Sequence, residues 1–187
     1  MAEFKESEHP RDKDGKFTEK GKSNRNNEFS QEHDVFFKQS GAISGAESGA
    51  LDSNSKEAKE HAKRYYAYLR TTNSDIDAIV KNTGISKSDI VKIKNYLFID
   101  KHNLSSGYKT FYPDYDIAVS WQRLIEGKHI KHMDYVLLNH ELEEMRYVNM
   151  GYSQQEAHNL ANKRYNYQEL VEKERKNGNN KKRKNRK

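Results

Sequence analysis

The densest chemistry in this chain lies in the run His140-Glu141-Leu142-Glu143-Glu144. On an α-helix, residues four apart share a face, so His140 and Glu144 would stand side by side with Glu141 next to them. An imidazole and a carboxylate at this spacing suit two kinds of work. They can hold one divalent metal ion, or they can act as a general acid and base with the carboxylate fixing the imidazole tautomer. The pattern resembles the zinc-protease motif H-E-x-x-H, but Glu144 stands where the second histidine belongs. His158 extends the set. It follows Gly151 on the next helical run, and helices joined by a tight turn are normally antiparallel neighbours. The competing reading makes His140 and His158 ordinary solvent-facing or hydrogen-bonded helix residues.

Other polar groups are candidates for binding substrate. Lys101 and His102 close the third helical run, and Arg123 follows Trp121 on the fourth. Arg123 is read either as half of a surface ion pair or as a phosphate clamp. Trp121 is read as core, and Tyr165-Asn166-Tyr167 as the end of the last helix.

The elements that must position these residues are helical. Residues 56–70 place Ala58, Ala62, Tyr65, Tyr66 and Leu69 on one face at three- and four-residue spacing. Ser74 with Asp77, and Ser86 with Asp89, read as acidic capping boxes on either side of Gly84. The third helix runs from Ile90 through Phe98, and residues 103–113 form a loop. Asp114 caps a fourth helix that Gly127 stops. A fifth runs from about Met133 to Met150, ended by Gly151. Ser153 and Glu156 form a full capping box for a sixth, expected to continue beyond Tyr165. Strand signals are nearly absent. The predicted fold is all-α, a compact bundle of about six helices over residues 56–172. It lies between a disordered arm (residues 1–55) and a basic disordered tail (residues 173–187).

Composition supports that division. Of 187 residues, 33% are hydrophobic and 33% charged, with the apolar residues concentrated between Tyr65 and Leu170. A short helix carrying Phe29, Val35, Phe36 and Phe37 is conceivable within the arm. The net charge of +6 resides in the last seven residues, where Lys181, Lys182, Arg183, Lys184, Arg186 and Lys187 stand without an acid. Such a block attracts polyanions, so nucleic acid is the expected partner of the tail. With no cysteine in the chain, disulfides and thiolate metal sites are excluded. No apolar run reaches the roughly 18 residues of a membrane span, and no secretory signal opens the chain, so a cytoplasmic location is expected.

Residues 76–93 can also be laid on a helix-turn-helix with Gly84 at the turn, offering Lys87, Ser88 and Lys92 to DNA. Asp75, Asp77 and Asp89 would then lie near phosphates, which argues against a DNA-reading regulator.

Four stretches carry a resemblance. They are residues 94–102, residues 114–124, Leu137-Leu138-Asn139-His140-Glu141 with Glu144, and Glu156-Ala157-His158 before Tyr165-Asn166-Tyr167. Together with the His-Pro-Arg-Asp-x-Asp-Gly-x-Phe linker at residues 9–17, they resemble a domain of phage and prophage proteins. That domain is carried behind head-morphogenesis (minor head) domains, one of which is absent here. The resemblance implies an effector delivered or packaged with the particle, acting in the bacterial host cytoplasm. Domains in that position are frequently nucleases and sometimes peptidases, an analogy of context rather than of chemistry. The leading expectation is a nuclease in which His140, Glu141, Glu144 and His158 supply acid/base chemistry or metal ligands. Lys101, His102 and Arg123 would bind substrate, and a divalent metal is the candidate cofactor. The alternative is a non-enzymatic virion or assembly protein binding capsid or portal components and packaged DNA.

Overall fold

Small polar side chains set most of the helix boundaries. In a computed structural model, which describes residues 52–184 and the side chains through residue 177, helix α1 (Lys56–Leu69) begins at Ser55, whose Oγ accepts the Ala58 N–H at 3.1 Å. Helix α2 (Ser74–Thr83) ends at Gly84, which takes a left-handed φ of +73°. Helix α3 (Lys87–Lys94) begins at Ser86, whose Oγ accepts the Asp89 N–H at 3.1 Å. After a short hairpin, α4 (Tyr115–Glu126) starts from Asp114, whose Oδ1 accepts the Ile117 N–H at 2.9 Å. Then follow α5 (His132–Asn149), α6 (Gln154–Asn162) with the reciprocal Ser153/Glu156 box, and α7 (Tyr167–Lys184). The all-α expectation is what the chain adopts. Among the described residues, no helix is long and apolar enough to cross a membrane.

The sequence reading needs five corrections. Ser74 does not cap α2; Asn73 holds that position without a side-chain bond, and the Ser74 hydroxyl turns to that of Thr72 at 3.0 Å. The third helix does not run unchanged to Phe98, because Asn95–Ile99 widens into a π-helical turn closed by Asp100 N–H to Asn95 C=O at 2.8 Å. The stretch from residue 103 to 113 is not all loop: strand β1 (His102–Leu104) pairs antiparallel with β2 (Gly107–Lys109). Helix α6 stops at Asn162 because Asn166 starts a new helix, its Oδ1 accepting the Glu169 N–H at 3.1 Å. That new helix, α7, runs to Lys184, past residue 172 where a disordered tail was expected. The short helix suggested around Phe29 and the arm of residues 1–51 lie outside the described residues.

Helix α5 is the hub, packing against α3, the π-helical turn, α4, α6 and α7. The main core joins Tyr65, Leu69, Ile79, Ile93, Phe98, Trp121, Leu124 and Leu138 from six elements. A smaller cluster of Val136, Leu137, Tyr167 and Val171 docks α7 onto α5. Asn82 of α2 reaches across to α4 and donates to the Leu124 and Ile125 carbonyls at 2.9 and 2.8 Å. That contact requires Gly127, where a Cβ would lie 2.6 Å from Asn82 Oδ1.

Two buried ion pairs tie the helices together. Asp75 Oδ1 meets Lys94 Nζ at 2.7 Å while its Oδ2 accepts the Trp121 indole N–H at 3.1 Å. Asp134 takes Arg123 in a fork, with Arg123 Nε donating to Oδ2 at 2.8 Å and Nη2 to Oδ1. Burial pushes the Asp75 carboxyl up, with the Lys94 charge opposing it. Such pairs add little net stability, but breaking one leaves a bare buried charge. Lys94→Met is therefore expected to cost about 3–5 kcal/mol, whereas Asp75→Asn combined with Lys94→Met recovers most of that loss. Urea denaturation of both variants measures it, and equal losses would refute the pairing.

Candidate metal centre

The face of α5 that carries His140, Glu141 and Glu144 looks away from solvent. All three are buried, with 3–6% of their surface exposed, and His158 of α6 joins them half-exposed. The four expected catalytic residues thus come together. Glu144 Oε2 lies 2.7 Å from His158 Nδ1 and 3.1 Å from His140 Nε2, and the two ring nitrogens are 3.2 Å apart. Ligands on a tetrahedral ion with bonds near 2.0–2.1 Å stand about 3.3 Å apart. The three atoms therefore already have close to the spacing that a single ion imposes.

The protonation of His140 follows from its other contact. Its Nδ1 is 2.8 Å from the Tyr165 carbonyl, which can only accept, so Nδ1 carries a proton and, in the neutral ring, Nε2 presents its lone pair to the centre. The expectation that the carboxylate fixes the tautomer is thereby corrected: a main-chain oxygen in the turn between α6 and α7 does so. Facing that lone pair is a carboxylate oxygen, also an acceptor. One proton on His158 Nδ1, shared between the two, relieves part of the repulsion. A cation among the three atoms relieves all of it.

The rest of the shell holds these groups in place. Tyr96, from the π-helical turn, donates to Glu144 Oε1 at 2.9 Å. Gln154 donates to the same oxygen, and to the Tyr96 hydroxyl at 2.6 Å. With Oε1 occupied by two donors, Oε2 is left for the centre. The Asn162 amide stands 2.9 Å from His158 Nε2. Burial alone would raise the Glu144 carboxyl, but hydrogen bonds from His140 and His158 outweigh it and hold the group well below the usual carboxylate range. The Glu144 hydrogen bond raises His158 against the opposing effect of burial. Glu141 is shifted up, by burial and then by the Glu144 charge. Among the described residues no protein group bonds its carboxyl. It lines a pocket of about 300 Å³ that also reaches His140, Glu144 and His158.

The expected substrate-binding residues are not brought here. Arg123 is 3% exposed and locked to Asp134 and Ser120, so it clamps helices and not phosphate. His102 is buried, donates from Nε2 to the Tyr96 carbonyl at 2.8 Å, and stacks on Phe111 at 4.0 Å. It braces the π-helical turn and contacts no part of the centre directly. Lys101 is exposed and absent from the pocket lining. Lys181, Lys182, Arg183 and Lys184 fall on the backbone of α7, but their side chains, like Arg186 and Lys187, lie outside the described set. In the candidate DNA reader, Lys87 pairs with Asp77 at 2.7 Å and Lys92 with Asp89 at 3.1 Å, so each candidate base-reading lysine faces an acid.

Tyr96, Gln154, Asn162 and the Tyr165 carbonyl were missed in the sequence. Only the i, i+4 relation of His158 to Asn162 leaves a readable signal, because the other three depend on how loops and turns close. No known family model, curated protein or solved structure matches this chain.

Residues that orient metal ligands typically govern affinity by 10- to 100-fold. Tyr96→Phe and Gln154→Leu, which strip donors from Glu144 Oε1, are each expected to weaken zinc binding by about tenfold while the helical circular dichroism is unchanged. Competition with a chromophoric chelator reads the affinity. Unaltered binding in both variants would detach Glu144 Oε1 from the centre.

Proposed function

We propose that this chain is a metal-dependent hydrolase domain in which His140, Glu144 and His158 hold one divalent ion and Glu141 moves the proton of the attacking water. The observation that carries the reading is the convergence of three potential ligand atoms within 2.7–3.2 Å, with His140 Nε2 left facing the centre because its Nδ1 is engaged by the Tyr165 carbonyl. Two imidazoles and one carboxylate form a donor set common at catalytic zinc, where a further position stays open for water or substrate. An ion there would polarise the substrate and lower the pKa of water. The chain's own part is to supply the ligands, hold them, and place Glu141 in the same pocket, with no hydrogen bond to it from the described residues.

The order of the motif also makes sense on this reading. In H-E-x-x-H the two histidines of one helix are ligands and the intervening glutamate is the base. Here the second helical ligand is Glu144 and the missing imidazole comes from α6, while Glu141 keeps its place beside the first histidine. With an ion on His158 Nδ1, Nε2 must carry the proton, and the Asn162 amide turns its oxygen to accept it. That contact would be the usual orienting bond of a metal-bound imidazole.

The resemblance to domains behind phage head-morphogenesis modules supports the effector context, with the enzyme working in the host cytoplasm after packaging or delivery. The cationic run from Lys181 to Lys187 would keep it near nucleic acid or virion components.

The test uses the full chain, stripped with chelator and titrated with zinc, beside expression in a bacterial host. The wild type is expected to take one equivalent. His140→Ala and His158→Ala should bind more than about 100-fold less tightly, since loss of orienting partners alone already costs up to that much. Glu141→Gln should keep the metal and lose the growth defect that the wild type causes. Zinc affinity indifferent to both histidines would end the metal reading. A growth defect that persists in Glu141→Gln would remove that residue from the chemistry.

A further inference from the structure

The pocket in front of Glu141 has two kinds of wall. Tyr66, Leu97, Phe111, Tyr112, Ile117 and Tyr167 give it rings and aliphatic surface. Asp114 and Glu141 add carboxylates beside the ligand Glu144. Among the described residues, no lysine or arginine lines it. Arg123 is committed to Asp134 inside the bundle. Lys109 packs over the Tyr112 ring at 4.3 Å and bonds its hydroxyl, outside the lining. Glu141 is 6% exposed, lines the cavity and has no hydrogen-bond partner among the described residues.

From this lining we infer, resting on the hydrolase reading above, that the centre acts on an uncharged acyl group and not on a phosphodiester. The substrate would be an amide bond of a peptide or peptide-like chain, with an apolar or aromatic side chain in the pocket. Charge decides between the two. A divalent ion at the three ligands would be offset in part by Glu144, and the rest of the described lining adds no cationic side chain. A neutral amide adds nothing on entry and develops a single negative charge on its oxygen, which one ion can stabilise. A phosphodiester enters already anionic, and enzymes that cleave or transfer phosphate supply several cationic groups around its oxygens. This pocket supplies carboxylates instead. Its rings also match the apolar, aromatic lining that small-molecule sites use to bury a ligand side chain.

The reaction balances with the residues present. The oxygen of water attacks the carbonyl carbon while Glu141 takes one of its protons. The C–N bond then breaks, the electron pair stays on nitrogen, and Glu141 returns the proton to that nitrogen. A carboxylic acid and an amine leave, with no oxidant or reductant required.

Three small probes test the inference on the zinc-loaded full chain by titration calorimetry: acetohydroxamic acid, benzohydroxamic acid and phenyl phosphate. If the rings receive a side chain, benzohydroxamic acid binds at least about tenfold tighter than acetohydroxamic acid, a difference of 1.4 kcal/mol. Tyr112→Ala, at an exposed ring, and Phe111→Ala should each erode that preference. Phenyl phosphate should bind weakest. Phenyl phosphate binding as tightly as benzohydroxamic acid would overturn the inference in favour of a phosphate substrate. A ring that confers no preference would overturn it too, since the pocket would not be the substrate site. Either result leaves the hydrolase reading standing. That reading falls on a separate observation, zinc uptake that survives His158→Ala.

Discussion

A hydrogen bond from an imidazole to a main-chain carbonyl decides what this protein can do. By donating its Nδ1 proton to the Tyr165 carbonyl, His140 leaves Nε2 facing Glu144, and both are buried. With the ring neutral, two acceptors face each other and repel, and a shared proton or a cation relieves the contact. The surrounding structure is arranged to hold that contact. The turn after α6 delivers the carbonyl, and the π-helical turn delivers Tyr96. The first turn of α6 delivers Gln154, and α5 carries both acceptors on one face. A fold indifferent to the site would have no reason to aim four elements at one carboxylate and one ring.

The π-helical turn shows how the fold serves this end. One extra residue per turn shifts the direction of every side chain that follows, and such turns recur at functional sites. Here the irregularity sits where α3 gives way to the hairpin. It places the Tyr96 hydroxyl on Glu144 while Leu97 and Phe98 still face the core. The wider turn is braced from both sides: Arg70 Nε donates to the Phe98 carbonyl at 2.6 Å, and His102 donates to that of Tyr96. His102 therefore matters to the site, though not as the substrate contact expected of it.

Much of the fold was legible because it is written in local chemistry. Ser86, Asp114, Gly127, Gly151 and the Ser153/Glu156 box each act within four residues, and each stands where the pattern put it. The pairing of His140 with Glu144 was legible for the same reason, and His158 followed from the antiparallel hairpin. What escaped depends on distant partners. Arg123 reads as a surface cation until Asp134, eleven residues on, is seen to bury it. The Tyr165 carbonyl has no side chain to advertise it. Helix α5 gives a weak amphipathic signal because Glu141 and Glu144, which a pattern assigns to solvent, are inside it. That conflict between pattern and burial is itself informative, since local rules tend to be broken where function requires it.

The distribution of buried charge carries the argument one step further. Elsewhere in the bundle, buried carboxylates are matched one to one: Asp75 with Lys94, and Asp134 with Arg123. At the inner end of α5 the matching stops. Glu144 has two imidazoles, and Glu141 has no cationic partner among the described residues, its carboxyl pushed up by burial and by the Glu144 charge. Among the described residues, carboxyl groups here outnumber the lysines and arginines that could pair with them. A chain that supplies a cation to both of the other buried acids leaves this one deficit open, and leaves it beside a pocket. On the reading proposed above, a positive charge from outside the chain would complete it.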